Sequence, residues 1–256
     1  MNHYFLSFPV KLFFIFVWTM LPLVAEAQTL VHRYTFERES FRGGDMVGQQ
    51  AGTITAEYTY TEPPLFSEKN RPAARFTSMQ VGMAYGVKKS GLTLPTAVLA
   101  GNEGTIAFFA QATGSPKTGQ GAYLVAGGFI DQGALIIQYA PFLLIAKAGQ
   151  SERITVPALP AHQWVHCALT WNNSTGEVVF FLNGEAVGKS QAKPNSFNPL
   201  VVTRVGSFNL AAERPEALEN QFQGFFYDLQ IYNAPLTPTQ AAKLASAPGQ
   251  ALKELK

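Results

Sequence analysis

Between His162 and Lys243 the chain spells out the parts of a β-sandwich one after another. His162-Gln163-Trp164-Val165-His166-Cys167-Ala168-Leu169-Thr170-Trp171 predicts one strand, and Phe225-Phe226-Tyr227-Asp228-Leu229-Gln230-Ile231-Tyr232 predicts another. Between them, Asn183-Gly184 separates Val178–Leu182 from Glu185–Lys189. Both turn residues tolerate positive φ, so the dipeptide predicts a type I′ hairpin. A terminal helix is equally legible. Thr237 stands at the N-cap, Pro238 at N1 and Gln240 at N3 of a capping box, with Leu236 as the staple residue. Ala241, Ala242, Leu244 and Ala245 continue the helix until Pro248 stops it. The spacing is that of a continuous sandwich rather than of an enzyme's catalytic loops.

The rest of the chain agrees with this reading. No segment of helical period precedes residue 236, and short apolar runs recur between Gly, Pro, Asn and Ser. Strands are predicted near 30–37, 52–60, 73–76, 80–85, 104–111, 121–127, 133–139, 142–147, 151–156, 163–171, 177–183, 185–190, 200–207 and 222–232. The breaks at Glu62-Pro63-Pro64, Thr113–Pro116 and Lys193-Pro194-Asn195 are too short for domain linkers. The pattern therefore predicts one all-β domain over residues 28–247 and a tail over 248–256.

The first 27 residues read differently. Lys11 precedes the apolar block Leu12–Val24, which ends in Ala25-Glu26-Ala27. This is the layout of a secretory signal peptide, with cleavage expected after Ala27. The block is shorter than the roughly 20 residues that span a bilayer, although a retained anchor is the alternative. No cysteine stands near the cleavage site, which argues against a lipoprotein. The mature protein is thus expected to be secreted or periplasmic, with no membrane span. Cys167 is the only cysteine, so no intrachain disulfide forms. That suits a bacterial exported protein better than an animal extracellular module. A net charge of +2 without any Lys or Arg run argues against nucleic acid as a partner.

Strand alternation predicts faces. Phe225, Tyr227, Leu229 and Ile231 are expected on one side, and Phe226, Asp228, Gln230 and Tyr232 on the other. His32, Tyr34 and Phe36 should face the core, with Arg33, Thr35 and Glu37 opposite. Cys167 shares a side with Val165, Leu169 and Trp171, and reads as a small core residue.

These residues resemble the laminin G-like branch of the concanavalin A-like lectin/glucanase superfamily, in its bacterial secreted jelly-roll form. The resemblance runs through Leu30–Phe36, Asp45-Met46-Val47-Gly48 and Gly104–Phe109. Its most specific parts are Trp164–Trp171 and Phe181-Leu182-Asn183-Gly184, and it closes on Phe225–Leu236. It implies a two-sheet antiparallel jelly-roll sandwich with a short C-terminal helix. It says less of function, since one sandwich hosts many sites.

Catalysis finds little support. The glucanase branch carries an E-x-D-x-x-E strand, and this chain has no such triplet, while paired-carboxylate hydrolysis needs two acids on one cleft. Glu177 and Glu185 flank the hairpin as solvated turn residues. His162 and His166 lack the intervening Glu of a zinc protease and fall on a strand. His166 and His32 read as packed strand residues. The Asn172-Asn173-Ser174-Thr175 sequons read as a polar turn.

Calcium is what many such relatives bind, and it requires oxygen ligands. A structural site is expected from Glu37 and Asp228, with Asp45 contributing. The alternative is that Asp228 and Glu37 pair with Arg33, Arg38 or backbone amides. For ligand recognition, Phe129, Tyr139, Phe142, Phe197 and Phe208 lie near predicted loops. Asp131 and the charged Glu213, Arg214, Glu216 and Glu219 are the polar candidates. Loops 61–72, 111–121, 191–199 and 208–221 form the variable rim, with 208–221 foremost. The expectation is a non-catalytic module that binds a glycan or an extracellular protein through these loops. A cell-envelope scaffold is the first alternative, and a glycoside-active enzyme the more remote one.

Overall fold

The computed structural model describes residues 28–35, 47–50, 52–55, 60–61, 78–81, 91–95, 98–99, 101–112, 122–127, 135–139, 143–147, 150–154, 159–191, 193–195, 203–205, 222 and 224–255. In chain order the strands are β1 (Leu30–Tyr34), β2 (Thr53–Thr55), β3 (Tyr60–Thr61), β4 (Ser78–Val81), β5 (Gly91–Leu94), β6 (Glu103–Ala112), β7 (Ala122–Gly127) and β8 (Leu135–Tyr139). They continue as β9 (Leu143–Lys147), β10 (Gln150–Ile154), β11 (Trp164–Asn172), β12 (Glu177–Leu182), β13 (Glu185–Gln191), β14 (Thr203–Val205) and β15 (Gly224–Tyr232). Helix α1 (Pro238–Ser246) and a 3-10 turn, Leu252–Glu254, follow.

Two antiparallel sheets result, as a jelly roll requires. One has eight described strands in the order β13-β12-β11-β6-β15-β4-β3, with β1 also paired to β15. The other has seven, β10-β9-β8-β7-β14-β5-β2. Between the sheets lies a core of Tyr34, Leu92, Leu94, Ile106, Phe108, Cys167, Leu169, Trp171, Phe180, Val205, Phe226, Leu229 and Ile231. The run 52–60, read from sequence as one strand, divides between the sheets as β2 and β3. Its Thr-Ile-Thr…Tyr-Thr-Tyr alternation keeps period two throughout, so nothing in the pattern marks the crossing. The described strand β5 was not anticipated; Gly91-Leu92-Thr93-Leu94 is only four residues long.

The outer face of the eight-stranded sheet also has a cover. Ala107 and Ala168 are small enough for α1 to come close, and Leu236, Ala241 and Leu244 pack there with Phe181, Tyr232 and Ala251. Burying Leu244 alone stabilises this seat by about 1.5–3 kcal/mol. The capping box forms as predicted: the Gln240 amide donates to Thr237 Oγ1 at 3.3 Å and the Thr237 amide donates to Gln240 Oε1 at 2.8 Å. The hairpin forms too, with φ of 50° at Asn183 and 85° at Gly184. A Cβ on Gly184 would stand 2.6 Å from the Ala242 Cα, so the turn needs glycine both for its conformation and for its contact with α1.

The predicted faces of β15 are corrected by a β-bulge. Tyr227 pairs with Phe109 and Gln230 with Ala107, which leaves Asp228 and Leu229 opposite Phe108 alone. Asp228 sits at φ 50°, a left-handed conformation that Asp tolerates better than most residues. The extra residue reverses the alternation. Phe226, Leu229 and Ile231 enter the core, whereas Tyr227 lies with Phe109 on the opposite face. Phe225 accordingly stands beside Trp164, ring centroids 6.3 Å apart. A second irregularity, between Leu30 and His32, sends Leu30 beneath α1 while Tyr34 stays in the core.

Candidate functional site

Two polar clusters lie on the strands β1, β6, β11 and β15, and only one of them is open. The closed one centres on Asp228, just 1 % exposed. Its Oδ1 accepts from Arg33 Nε at 2.8 Å, and its Oδ2 accepts from Gln230 Nε2 at 2.6 Å and from the Gly249 amide at 3.0 Å. Arg33 also donates to the Gly249 carbonyl. Gln230 Nε2 reaches the Gln250 carbonyl at 3.0 Å, Tyr232 Oη donates to Gln230 Oε1, and the Leu252 amide donates to Tyr232 Oη at 3.2 Å. The residues after α1, read from sequence as a tail, are therefore strapped across the sheet, with Ala251 fully buried. Burial pushes the Asp228 carboxyl above its ordinary value, against the pull of Arg33, Gln230 and Gly249.

This arrangement realises the ion-pair alternative for Asp228. Both oxygens already accept hydrogen bonds, and a guanidinium supplies the positive charge. Among the described residues no group of three His, Cys, Asp or Glu could hold a metal ion. Glu37 and Asp45, the other expected ligands, lie outside the described residues.

The open cluster stands at one end of the sandwich. Here β1 begins, β6 begins, β11 ends and β15 ends, because antiparallel pairing brings those termini together. They enclose a cleft of about 180 Å³. Its apolar floor is Val98, Leu99, Trp171 and Ile231, and its polar lining is His32, Glu103 and Asn233. His32 faces inward with Tyr34 as the alternation predicts, but at this end inward means toward the cleft.

The local sequence explains the geometry. Trp171 pairs with Gly104 across β11 and β6, and the indole lies where a side chain would otherwise be. A Cβ on Gly104 would come within 2.6 Å of Trp171 Cζ2 and 2.8 Å of the Tyr232 carbonyl. Trp171 Nε1 donates to the Gly101 carbonyl at 3.4 Å. One step further out, Asn172 pairs with Glu103. Asn172 Oδ1 accepts from the Thr175 amide at 3.0 Å, which orients its Nδ2 to donate to Glu103 Oε2 at 2.7 Å. The polar turn Asn172–Gly176 thereby becomes a support for the cleft. The Asn173 amide donates to the Asn102 carbonyl at 2.8 Å, and Asn102 Nδ2 donates to Ser174 Oγ.

Asn233 is held in a matching way. Its Oδ1 accepts from the Thr29 amide at 2.8 Å, and its own amide donates to the Thr29 carbonyl at 3.1 Å. Each rim side chain thus spends one atom on its own orientation. Glu103 Oε1 is left to accept, and Asn233 Nδ2 is left to donate.

None of the described residues that line this cleft was expected from sequence to bind the ligand. Phe129, Asp131, Phe197, Phe208, Glu213 and Arg214 lie outside the described residues. Tyr139 ends β8 in the seven-stranded sheet, opposite Ala122. The one signal pointing to the cleft was the pair of polar turns Gly101-Asn102-Glu103 and Asn172–Thr175, whose proximity appears only once β6 and β11 pair.

The histidine and cysteine of β11 keep their packing roles. His166 is 2 % exposed, packs against Phe109 with the rings tilted and 4.9 Å between centroids, and has its pKa pulled down to about 3 by burial. Cys167 is in the core, its thiol pushed up to about 12 by burial, which denies it nucleophilic reactivity near neutral pH.

Comparison with known proteins bears on the fold. The family model of the concanavalin A-like lectin/glucanases superfamily matches residues 86–242. No curated protein matches at a significant level. Among solved structures, domain 4 of AbnA, an extracellular arabinanase from Geobacillus stearothermophilus solved with arabinotriose, is similar at a TM-score of 0.64 and 19% identity. That match covers 86% of this chain and 100% of the other. A Trypanosoma rangeli sialidase matches at 0.56 and 13% identity, over 84% of this chain and 32% of its own. Botulinum neurotoxin type C, whose cell entry depends upon interaction with two ganglioside molecules, matches at 0.57 and 11%, over 86% and 51%. Identities this low speak for shared architecture alone.

Proposed function

The chain belongs to the concanavalin A-like lectin/glucanases superfamily, and on that footing we propose that it is an exported, non-catalytic module that binds a glycan in the end cleft. The observation that carries the reading is the cleft's composition. The apolar walls, Trp171 among them, are nearly covered, so the rim meets the ligand: a fixed acceptor on the part-exposed Glu103 beside a fixed donor on the exposed Asn233 suits the hydroxyls of a sugar. Arabinotriose on domain 4 of the arabinanase makes carbohydrate the ligand class carried over.

What supports a binding role over hydrolysis is that, among the described residues, Glu103 is the single carboxylate lining the cleft. Glycoside hydrolysis uses two, about 5–9.5 Å apart across the scissile bond. Export rests on the signal layout of residues 1–27, and the mature mass of secreted protein beginning at Gln28 tests it.

A glycan array on the purified protein tests the binding role. Specific signal is expected, and it should vanish in Gly104→Ala, where Trp171 is displaced from the floor. Uniform silence on the array would transfer the reading to a scaffold or a protein-binding module. A one-ring contact of this kind carries a Kd on the order of 1 mM, so a multivalent display is the appropriate format.

A further inference from the structure

We propose that the end cleft takes one uncharged sugar ring and discriminates against acidic sugars, with Glu103 as the discriminating residue. The inference rests on the glycan-binding reading and adds to it a ligand class.

Size limits the ligand first. About 180 Å³ is below the roughly 300–1,000 Å³ of pockets that hold drug-sized ligands. It corresponds to about six waters at their liquid volume. One ring fits such a space, and the rest of a chain must extend past the rim formed by Gly101 and Asn233.

Charge limits it second. The lining contains, among the described residues, Glu103, with His32 as its basic side chain, and neither Lys nor Arg. Among the described residues, Arg33 of β1 is committed on the other face of that strand, to Asp228 at 2.8 Å and to the Gly249 carbonyl. Glu103 is itself held by a neutral amide, Asn172 Nδ2, and among the described residues no Lys or Arg pairs with it. A carboxylate or sulfate brought onto the ring would lie near an uncompensated anion in a half-enclosed site, where charges interact several times more strongly than in water. A sugar hydroxyl meets the opposite situation: it donates to a charged acceptor, which makes the stronger kind of hydrogen bond. Asn233 Nδ2 supplies the complementary donor for a neighbouring hydroxyl.

This conclusion does not follow from the similar structures, which include a sialidase and a ganglioside-dependent toxin.

Matched pairs of sugars test the inference: methyl glucoside against methyl glucuronide, and methyl galactoside against methyl galacturonide. Each is titrated into the purified protein while the Trp171 indole N–H resonance is followed. The neutral member of a binding pair is expected to bind about tenfold or more tightly than its acidic partner. In Glu103→Gln, whose amide oxygen still accepts from Asn172, the ratio should collapse to within about twofold, while Glu177→Gln, at the exposed pair with Lys189, leaves it unchanged. Equal or tighter binding of the acidic partner overturns the inference, as does a ratio that survives Glu103→Gln. Either result would leave glycan binding itself standing. If no neutral or acidic sugar moves the Trp171 resonance, both this inference and the function it rests on fall.

Discussion

The two polar clusters of the eight-stranded sheet use the same residue types to opposite ends. Around Asp228, Arg33, Gln230 and Tyr232 bond to one another and to the backbone of residues 249–252. That network is saturated and sealed. Around Glu103, each side chain makes the one contact that orients it and leaves a second atom facing a cleft. Buried polar groups cost free energy unless satisfied, so saturation marks the cluster that holds the fold together. Residual bonding capacity at an open cleft marks the cluster that meets a ligand.

The difference can be broken or sharpened by mutation. The largest effect is expected for Asp228→Ala, which strands Arg33 against a covered sheet and places alanine at φ 50°. A loss of about 3–5 kcal/mol is expected, equivalent to a fall in Tm of about 10 °C or more by calorimetry. A fall of only a degree or two would show that the strap does not depend on this pair.

Acid should act next, through His166 on the same sealed face. Its pKa falls from 6.5 to about 3 in the folded chain. The stability it contributes is therefore full above pH 6.5 and declines as pH falls, because the unfolded chain takes up the proton first. Between pH 6.5 and 5 that amounts to about 2 kcal/mol. Denaturant titrations across this window should show the slope, and His166→Phe should flatten it. The capping box is worth less: Thr237→Ala should cost about 1 kcal/mol by loosening the helix that covers the same face.

The cleft should respond in the reverse sense. Glu103→Ala and Asn233→Ala are expected to alter stability by no more than about 0.5 kcal/mol, yet to weaken sugar binding about tenfold each. A large stability loss in either would make the cleft a second structural cluster and erase the contrast. Chelation is the smallest effect. With Asp228 committed to Arg33, EDTA should move the Tm by less than about 1 °C; a drop of several degrees would instead place calcium at Glu37 and Asp45.

Much of the fold was legible because its signals are local. Asn183-Gly184 needs only its two φ angles, and Thr237-Pro238-Thr239-Gln240 needs only one turn of helix. Cys167 and His166 were assigned their packing roles from alternation along β11, which has no irregularity against β6. The same rule misassigned β15, because a bulge inserts one residue that no composition signal announces. The strap over residues 249–252 was hidden for a related reason: Pro248-Gly249 reads as a helix stop, and the further role of Gly249 as partner of Asp228 depends on a residue 21 positions earlier.

The candidate site was less legible still. Sequence reasoning looked for a ligand in long charged loops and in aromatics beside them. The cleft draws instead on strand ends spread from His32 to Asn233, each unremarkable in its own neighbourhood. Trp171 was rightly placed in the core, and it also forms a cleft floor because Gly104 stands opposite. What the sequence alone determined is the architecture: apolar periodicity, turn chemistry and capping act over a few residues, and they specify strands, a hairpin and a helix. What only the tertiary structure decided is which of two acids has its charge matched. Asp228 meets Arg33 and Glu103 does not, and that follows from which strand ends the antiparallel pairing brings together.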